Sequence, residues 1–197
     1  MSSAGETSQV PALVRAAYER ARSGGFELSC EREVGRFLAV LAAALPPGGR
    51  VLELGTGAGV GLAWLVHGVG TRADVSVTSV ESDPEAARLA EAGRWPPFVR
   101  LELADAVEFL GRRDRYDLIF ADAQGGKWEA LDRTISALEP GGILVVDDMT
   151  PPDFGSDEHR QKTAEVRAHL LGEKRLVSAE LAFSSGVIAS VRRREEP

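Results

Sequence analysis

Apolar and polar residues recur with two different periods along this chain. Before residue 50 the apolar positions follow helical spacing, which predicts a helix over residues 9–22 and a second from an N-cap at Ser29 to about Leu45. After residue 50, short apolar runs alternate with amphipathic segments, as strands and helices do. The predicted strands cover residues 50–54, 75–80, 99–103, 116–120, 143–146, 175–182 and 187–192. The predicted helices between them cover residues 60–69, 84–92, 128–138 and 158–171.

Strands that alternate with helices predict an α/β fold. Such a chain forms a doubly wound, mostly parallel sheet with helices on both faces, and residues 175–192 add a terminal hairpin. We expect one domain over residues 1–197, a length that suits a single core. Within it, residues 1–48 supply N-terminal helices as a cap, and residues 49–197 form the Rossmann-like core.

Composition narrows the classes of partner. The 197 residues carry a formal net charge of −7, and an acidic surface repels phosphates, so no nucleic-acid partner is expected. No apolar run reaches the roughly 18 residues of a membrane span, and the first residues lack the pattern of a signal peptide. Cys30 is the sole cysteine, which excludes an internal disulfide. We therefore expect a cytoplasmic protein without a membrane partner.

The first predicted strand runs directly into a glycine loop, ELGTGAG at residues 53–59. In open α/β sheets ligands bind at the carboxyl ends of the strands, and glycines let backbone N–H groups approach a ligand closely. The dinucleotide motif would need Gly or Ala at the position of Val60, and the Gly-Lys-Ser/Thr of a P-loop is absent. The loop therefore favours neither NAD nor a nucleoside triphosphate.

Acidic residues at the ends of three predicted strands indicate a different ligand. Glu53 would repel a pyrophosphate, but it suits the sulfonium and ammonium groups of S-adenosylmethionine. Glu81 ends the second strand, where a carboxylate can accept both ribose hydroxyls, and Asp105 follows the third, where an adenine-facing residue is expected. Asp83 and Asp105 could instead cap helices. Three acids in this order favour S-adenosylmethionine as the cofactor.

Three further segments carry a family resemblance: YDLIFADA at 116–123, LEPGGILVVDDM at 138–149 and SSGVIASVRR at 184–193. With them the chain resembles the class I S-adenosylmethionine-dependent methyltransferases, most of all the small cation-dependent O-methyltransferases of the catechol and caffeoyl-CoA type. The resemblance implies a seven-stranded sheet of order 3-2-1-4-5-7-6 with strand 7 antiparallel, and a homodimer. It assigns the cofactor to Glu53, Gly55, Thr56, Gly57, Gly59, Glu81, Ser82, Asp105, Ala106 and Asp122.

The same resemblance implies a divalent cation such as Mg²⁺. Its ligands in the family correspond to Asp122, Asp147 and Asp148, and carboxylate oxygens suit such an ion. Asp148 departs from the family pattern, which has Asn there. Adjacent strand residues also point to opposite faces unless the chain turns between them. The alternative is that Asp122 orients the substrate or the cofactor while Asp148 is solvated.

A second departure concerns the family's lysine near the acceptor hydroxyl. The family segment Asp-Ala-Asp-Lys is replaced by residues 122–125, Asp-Ala-Gln-Gly, and the next lysine is Lys127. Lys127 could act beside Asp122 in catalysis only if the two glycines before it rearrange the loop. Otherwise it is a surface lysine that begins a helix. Trp128, Phe154 and the N-terminal helices are candidates to line the acceptor pocket.

The predicted function is methyl transfer from S-adenosylmethionine to a small-molecule acceptor, at a hydroxyl oxygen. A first alternative is a metal-independent enzyme that methylates nitrogen or a carboxylate. A second is a cofactor-binding protein that has lost catalysis. NAD-dependent hydride transfer is disfavoured by Val60.

Overall fold

The computed structural model describes residues 10–150 and 156–194, and seven strands in it form one sheet of order β3-β2-β1-β4-β5-β7-β6. The strands are β1 (Arg50–Leu54), β2 (Ser76–Glu81), β3 (Val99–Leu103), β4 (Tyr116–Ala121), β5 (Leu138–Val146), β6 (Leu176–Leu181) and β7 (Val187–Arg192). β7 runs antiparallel to β5 and β6, and the other neighbouring strands are parallel. The predicted doubly wound fold and strand order are confirmed.

Helices cover both faces of this sheet. They are α1 (Ala12–Ser23), α2 (Arg32–Ala43), α3 (Val60–Val69), α4 (Pro84–Glu91), α5 (Ala106–Phe109), α6 (Gln124–Lys127), α7 (Leu131–Ser136) and α8 (Asp157–Gly172). Alternate residues of the central strands enter different cores: Val51 packs with α3, whereas Leu52 packs with α7 and α8. Burial on both faces explains why these strands appear as continuous apolar runs in the sequence.

The N-terminal helices α1 and α2 pack against α3. Val14 and Leu38 belong to the same apolar cluster as Trp64 of α3 and Phe120 of β4. Gly35 permits this close contact, because a β-carbon there would lie 2.1 Å from the Trp64 ring. In the described residues the two helices therefore have no core separate from that of the sheet.

Two local predictions are wrong. Ser29 does not cap α2, which begins at Arg32 after Glu31 and has no side-chain cap. The helix predicted over residues 128–138 is replaced by α6 and α7, because Ala130 takes a left-handed φ of 60° between them. β5 consequently begins at Leu138 rather than at residue 143, and a register shift against β4 accommodates the glycines expected to form a turn.

Among residues 10–150 and 156–194, no helix is both long enough and apolar enough to cross a bilayer.

Candidate active site

A cavity of about 600 Å³ opens at the carboxyl edge of the parallel strands. It is lined by the linker between α1 and α2, the glycine loop, and the ends of β2, β4 and β5. Most predicted site residues lie on its wall: Glu53, Gly55, Thr56, Gly57, Glu81, Ser82, Asp122, Asp147 and Asp148. Asp105 and Ala106 line an adjoining cavity of about 340 Å³, which shares Gly55, Glu81 and Ser82 with the first. Gly59 and Lys127 line neither cavity.

The three glycines of the loop have left-handed backbones, with φ of 99° at Gly55, 53° at Gly57 and 83° at Gly59. Side chains would be strained there, and they would also collide with neighbours. A β-carbon on Gly57 would lie 2.7 Å from the Phe26 ring, and one on Gly59 would lie 2.9 Å from Trp95. Gly59 therefore permits close packing at the start of α3. It does not line the cavity, and its predicted contact with the cofactor stays a prediction.

The backbone N–H groups of the loop donate hydrogen bonds to acceptors within the protein. Gly55 and Thr56 both donate to the Val80 carbonyl, at 2.9 and 3.3 Å, and Gly59 donates to the Thr56 carbonyl at 2.8 Å. Gly57 donates to Glu81 at 2.8 Å. These four N–H groups thus stabilise the conformation of the loop.

Glu53 is fully buried beneath the loop. Its Oε2 accepts a short hydrogen bond from the Ser79 hydroxyl, which lies 2.6 Å from the Thr56 hydroxyl. Its Oε1 is buried without a hydrogen-bond partner, beside Gly61. Burial raises the pKa of Glu53 to about 8. An ionised carboxylate oxygen that is buried without a donor is costly, which is why burial favours the protonated form of Glu53.

Glu81 is held firmly at the end of β2. Its Oε1 accepts from the backbone N–H groups of Ser82 and Asp83, each at 2.9 Å, and its Oε2 accepts from Gly57. Each carboxylate oxygen can accept a further hydrogen bond. The carboxylate is therefore positioned and still able to accept bonds from a ribose.

Asp83 and Asp105 both act as helix caps, as the second interpretation of these residues predicted. Asp83 accepts from the N–H of Glu85 at 2.7 Å, and Asp105 accepts from that of Glu108 at 2.9 Å. The cap at Asp105 uses one carboxylate oxygen, Oδ1. Because this residue also lines the adjoining cavity, its capping role and a contact with adenine are compatible.

The acids at the ends of β4 and β5 form a crowded group. Burial, and next the charge of Asp147, raise the pKa of Asp122 well above its ordinary value. Asp147 Oδ1 accepts from the Ser185 hydroxyl at 2.5 Å and from the Asp148 N–H at 2.7 Å. Asp148 has a left-handed φ of 57°, so the chain turns sharply after β5 and brings both acids to the cavity wall.

Lys127 is buried, with 4% of its surface exposed. Its Nζ lies 3.4 Å from Asp148 Oδ2 and 3.2 Å from the Asp147 carbonyl. Gly126 makes this possible, because its φ of 90° breaks the helix and turns the lysine inward. The interpretation of Lys127 as a surface lysine is wrong, although its ammonium stays off the cavity wall.

In the structure, the ligand atoms of Asp122, Asp147 and Asp148 do not all lie within 4.8 Å of one another, so their predicted metal ligation stays a prediction. Across residues 10–150 and 156–194, one group of three His, Cys, Asp or Glu side chains has ligand atoms within 4.8 Å of one another. It consists of Asp132, His169 and Glu173. That group lies outside the cavity, and Arg175 already pairs with both of its carboxylates. The two acids at the end of β5 instead contact donors of the protein: Asp147 accepts from Ser185, and Asp148 pairs with Lys127.

Several lining residues could not be identified from the sequence. Residues 26–31 cover the glycine loop, and Ser185 reaches Asp147 from the turn before β7. Trp128 does not line the cavity; it packs edge to face on His159, with ring centroids 5.0 Å apart. Phe154 lies outside the described residues. The sequence Ser-Ser-Gly at 184–186 indicates a turn, but it does not indicate that Ser185 contacts Asp147.

Comparisons with known proteins agree with this geometry. The sequence model of a family described as a methyltransferase domain matches residues 52–149. A protein of Mycobacterium ulcerans, provisionally named an O-methyltransferase, is 36% identical over 173 residues, which cover 81% of this chain and 75% of that protein.

Two solved structures share the fold. One is the O-methyltransferase from Bacillus cereus in complex with SAH, with a TM-score of 0.78, 19% identity, and coverage of 93% of this chain and 92% of that one. The other is TomG from Streptomyces achromogenes, involved in tomaymycin synthesis, in complex with SAM, with a TM-score of 0.77, 21% identity, and coverage of 94% and 92%. The alignment with the Mycobacterium ulcerans protein covers most of both chains at 36% identity. This chain therefore belongs to the family of S-adenosylmethionine-dependent O-methyltransferases.

Proposed function

We propose that the protein transfers the methyl group of S-adenosylmethionine to a hydroxyl of a small molecule bound in the 600 Å³ cavity. The observation that carries this proposal is that two acids, Glu53 and Glu81, line one cavity beside the glycine loop. Such a wall suits a ligand with cationic groups and hydroxyls and without phosphates, whereas it repels a dinucleotide.

Different residues of the wall bind different parts of the cofactor. Glu53 accepts from the ammonium group, Glu81 accepts from the ribose hydroxyls, and Asp105 and Ala106 lie where the adenine would be held. When bound, S-adenosylmethionine would supply a methyl group on a sulfonium: the acceptor oxygen would attack the methyl carbon in line as the carbon–sulfur bond breaks, which leaves S-adenosylhomocysteine. The role of the wall is to align the acceptor and to exclude water.

Asp122 is the group that we assign to the acceptor's proton. It lies on the cavity wall at the end of β4, and burial beside Asp147 raises its pKa toward the range in which a carboxylate takes up a proton. Lys127 does not touch the cavity, so no direct catalytic contact is assigned to it.

The charge of the cavity restricts the acceptor. Its described lining includes no lysine or arginine and eight acidic side chains, of which Glu53 and Asp122 have pKa values raised by burial: Glu27, Glu31, Glu53, Glu81, Asp83, Asp122, Asp147 and Asp148. Residues 1–9, 151–155 and 195–197 contain no lysine or arginine either, so they cannot reverse this charge. A neutral or cationic hydroxyl compound is therefore favoured, and a CoA thioester or another polyanion is disfavoured.

Calorimetric titration with S-adenosylhomocysteine tests the cofactor, with NADH as a comparison ligand. Glu53→Gln and Glu81→Ala should each weaken binding at least about tenfold, or 1.4 kcal/mol. Glu91→Gln, on the exposed end of α4, is the matched control and should bind normally. Absence of binding to the unmodified protein, or tighter binding of NADH, would contradict the assignment.

Mass spectrometry of products from neutral, cationic and anionic hydroxyl compounds tests the reaction. Transfer to oxygen in the first two classes is expected. A product methylated on nitrogen or on a carboxylate would favour the first alternative. Cofactor binding without turnover on any acceptor would favour the protein that has lost catalysis.

Four broader expectations rest on the sequence alone. They are the single domain over residues 1–197, the homodimer, the lack of a nucleic-acid partner and the cytoplasmic location. Each stays a prediction.

A further inference from the structure

We infer that Lys127 provides, from within the protein, the positive charge that a divalent cation provides in cation-dependent relatives, so that the acids at the ends of β4 and β5 bind no metal. Lys127 then acts as a positioning residue for the turn between Asp147 and Asp148. This inference rests on the proposed function for its activity measurements and stands without it for its metal-binding measurements.

The contacts of the ammonium carry the inference. Nζ of Lys127 reaches the Asp148 carboxylate and the Asp147 carbonyl, at 3.4 and 3.2 Å. These are the two residues to which the family resemblance assigns metal ligation. A buried ammonium is stable only where acceptors replace water. The Asp147 carbonyl and the Asp148 carboxylate, whose side chain is 53% exposed, are those acceptors for Lys127.

The backbone on both sides is shaped for this ion pair. A β-carbon on Gly126 would lie 2.4 Å from Leu54, so only glycine permits the loop to pass there with its φ of 90°. The Thr134 hydroxyl donates to the Gly126 carbonyl at 2.7 Å and fixes the turned conformation. On the other side, the left-handed φ of Asp148 directs its carboxylate toward the lysine.

One oxygen of Asp147 is also engaged by the protein. Asp147 Oδ1 accepts from Ser185 and from the Asp148 N–H. Among the described residues, the ligand atoms of Asp122, Asp147 and Asp148 are not spaced closely enough for one cation. A cation bound by all three acids would therefore require these side chains to move, whereas Lys127 pairs with Asp148 as the structure stands.

Electron paramagnetic resonance of added Mn²⁺ tests the inference directly. The unmodified protein should show no stoichiometric Mn²⁺ site at millimolar Mn²⁺. Lys127→Met frees the acids from their counter-ion and should create one site per chain, with affinity at least about tenfold above that of the unmodified protein. Adding Asp148→Asn to Lys127→Met should weaken the new site.

Lys162→Met is the matched control. Lys162 lies 5.3 Å from the Trp128 ring and Lys127 lies 5.6 Å from it, but Lys162 is exposed and contacts neither acid of the turn. It should gain no Mn²⁺ site. Lys127→Gln, which keeps a polar group, serves as a second variant should Lys127→Met not fold, as judged by circular dichroism, and it should gain the same site.

Two results would overturn the inference. One is a stoichiometric Mn²⁺ site in the unmodified protein that disappears in Asp147→Asn. The other is a folded Lys127 variant that gains no site. Turnover should also persist in EDTA and be unaffected by Mg²⁺, and loss of turnover in EDTA would count against the inference. Binding of S-adenosylhomocysteine is measured in parallel, because its failure speaks against the proposed function and leaves the metal result unaffected.

Discussion

The cavity has two halves that are built differently. Its cofactor half is the glycine loop and the end of β2, residues 53–59 and 81–83, where backbone N–H groups hold Glu81 and the Ser79 hydroxyl holds Glu53. Its reaction half is residues 122–124, 147–148 and 185 with Lys127 behind the wall, where side chains hold one another through Lys127 and Ser185. The first half keeps the pattern of the family and the second departs from it. Under our two proposals, the protein keeps the family's cofactor site while Lys127 replaces the cation of the reaction half.

The largest effect is expected at Asp122, in the reaction half. Asp122→Asn should lower turnover about a thousandfold, because it removes the carboxylate assigned to the acceptor's proton. The affinity for S-adenosylhomocysteine should change much less, which would separate the two halves. Asp117→Asn, at the opposite end of β4, is the control for the strand and should keep its activity. If Asp122→Asn lowered the affinity for S-adenosylhomocysteine as much as it lowered turnover, the two halves would not have separate roles.

The next largest effect is expected at Gly55, in the cofactor half. A β-carbon there would lie 3.1 Å from the Ala123 backbone, at a φ of 99°, so Gly55→Ala distorts the loop. Affinity for S-adenosylhomocysteine should fall about a hundredfold, or about 2.8 kcal/mol. Gly48→Ala is the matched control, since Gly48 has a φ of 73° but no atom within 4 Å of the added carbon. It should lose about 1–2 kcal/mol of stability and bind normally.

A smaller effect concerns pH and the buried acid of the cofactor half. Folding raises the pKa of Glu53 from its ordinary 4.5 to about 8, so the folded chain binds more protons than the unfolded chain between those values. The free energy of unfolding should therefore fall as pH rises through this window, by up to about 1.4 kcal/mol per pH unit for this group.

Thermal denaturation of the ligand-free protein from pH 5 to 8 measures that slope. Glu53→Gln should flatten it, whereas Glu91→Gln should leave it unchanged. An unaltered slope in Glu53→Gln would show that other groups, such as Asp122, account for the pH dependence.

The smallest effect is expected at Leu28, on the linker that covers both halves. Its side chain is 85% exposed and lines the cavity, so Leu28→Ala should raise the acceptor KM about threefold. Stability should change by less than about 0.5 kcal/mol. Val40→Ala, at an exposed position of α2, is the control and should leave KM unchanged. An unchanged KM in Leu28→Ala would place the acceptor away from the linker.

The cofactor half could be predicted from the sequence because its parts are local. Glu53 and the glycines adjoin one another, and Glu81 ends the next strand, so strand order alone brings them together. The same holds for the fold, whose buried strands are continuous apolar runs.

The reaction half depends on features that a linear pattern does not contain. The inward direction of Lys127 depends on the φ of Gly126, and Ser185 lies 38 residues from Asp147. Ala130 likewise interrupts a helix that its neighbours favour, because tertiary packing overrides helix propensity there.

The hydrogen bond from Ser185 to Asp147 can form only late in synthesis, because Ser185 lies in the last hairpin of the printed sequence. A nascent chain that has emerged as far as Ala106 already contains every part of the cofactor half. The reaction half must wait until the final hairpin inserts β7 beside β5, about eighty residues and several seconds of translation later. The residues of the reaction half are therefore brought together last, after those of the cofactor half have been synthesised.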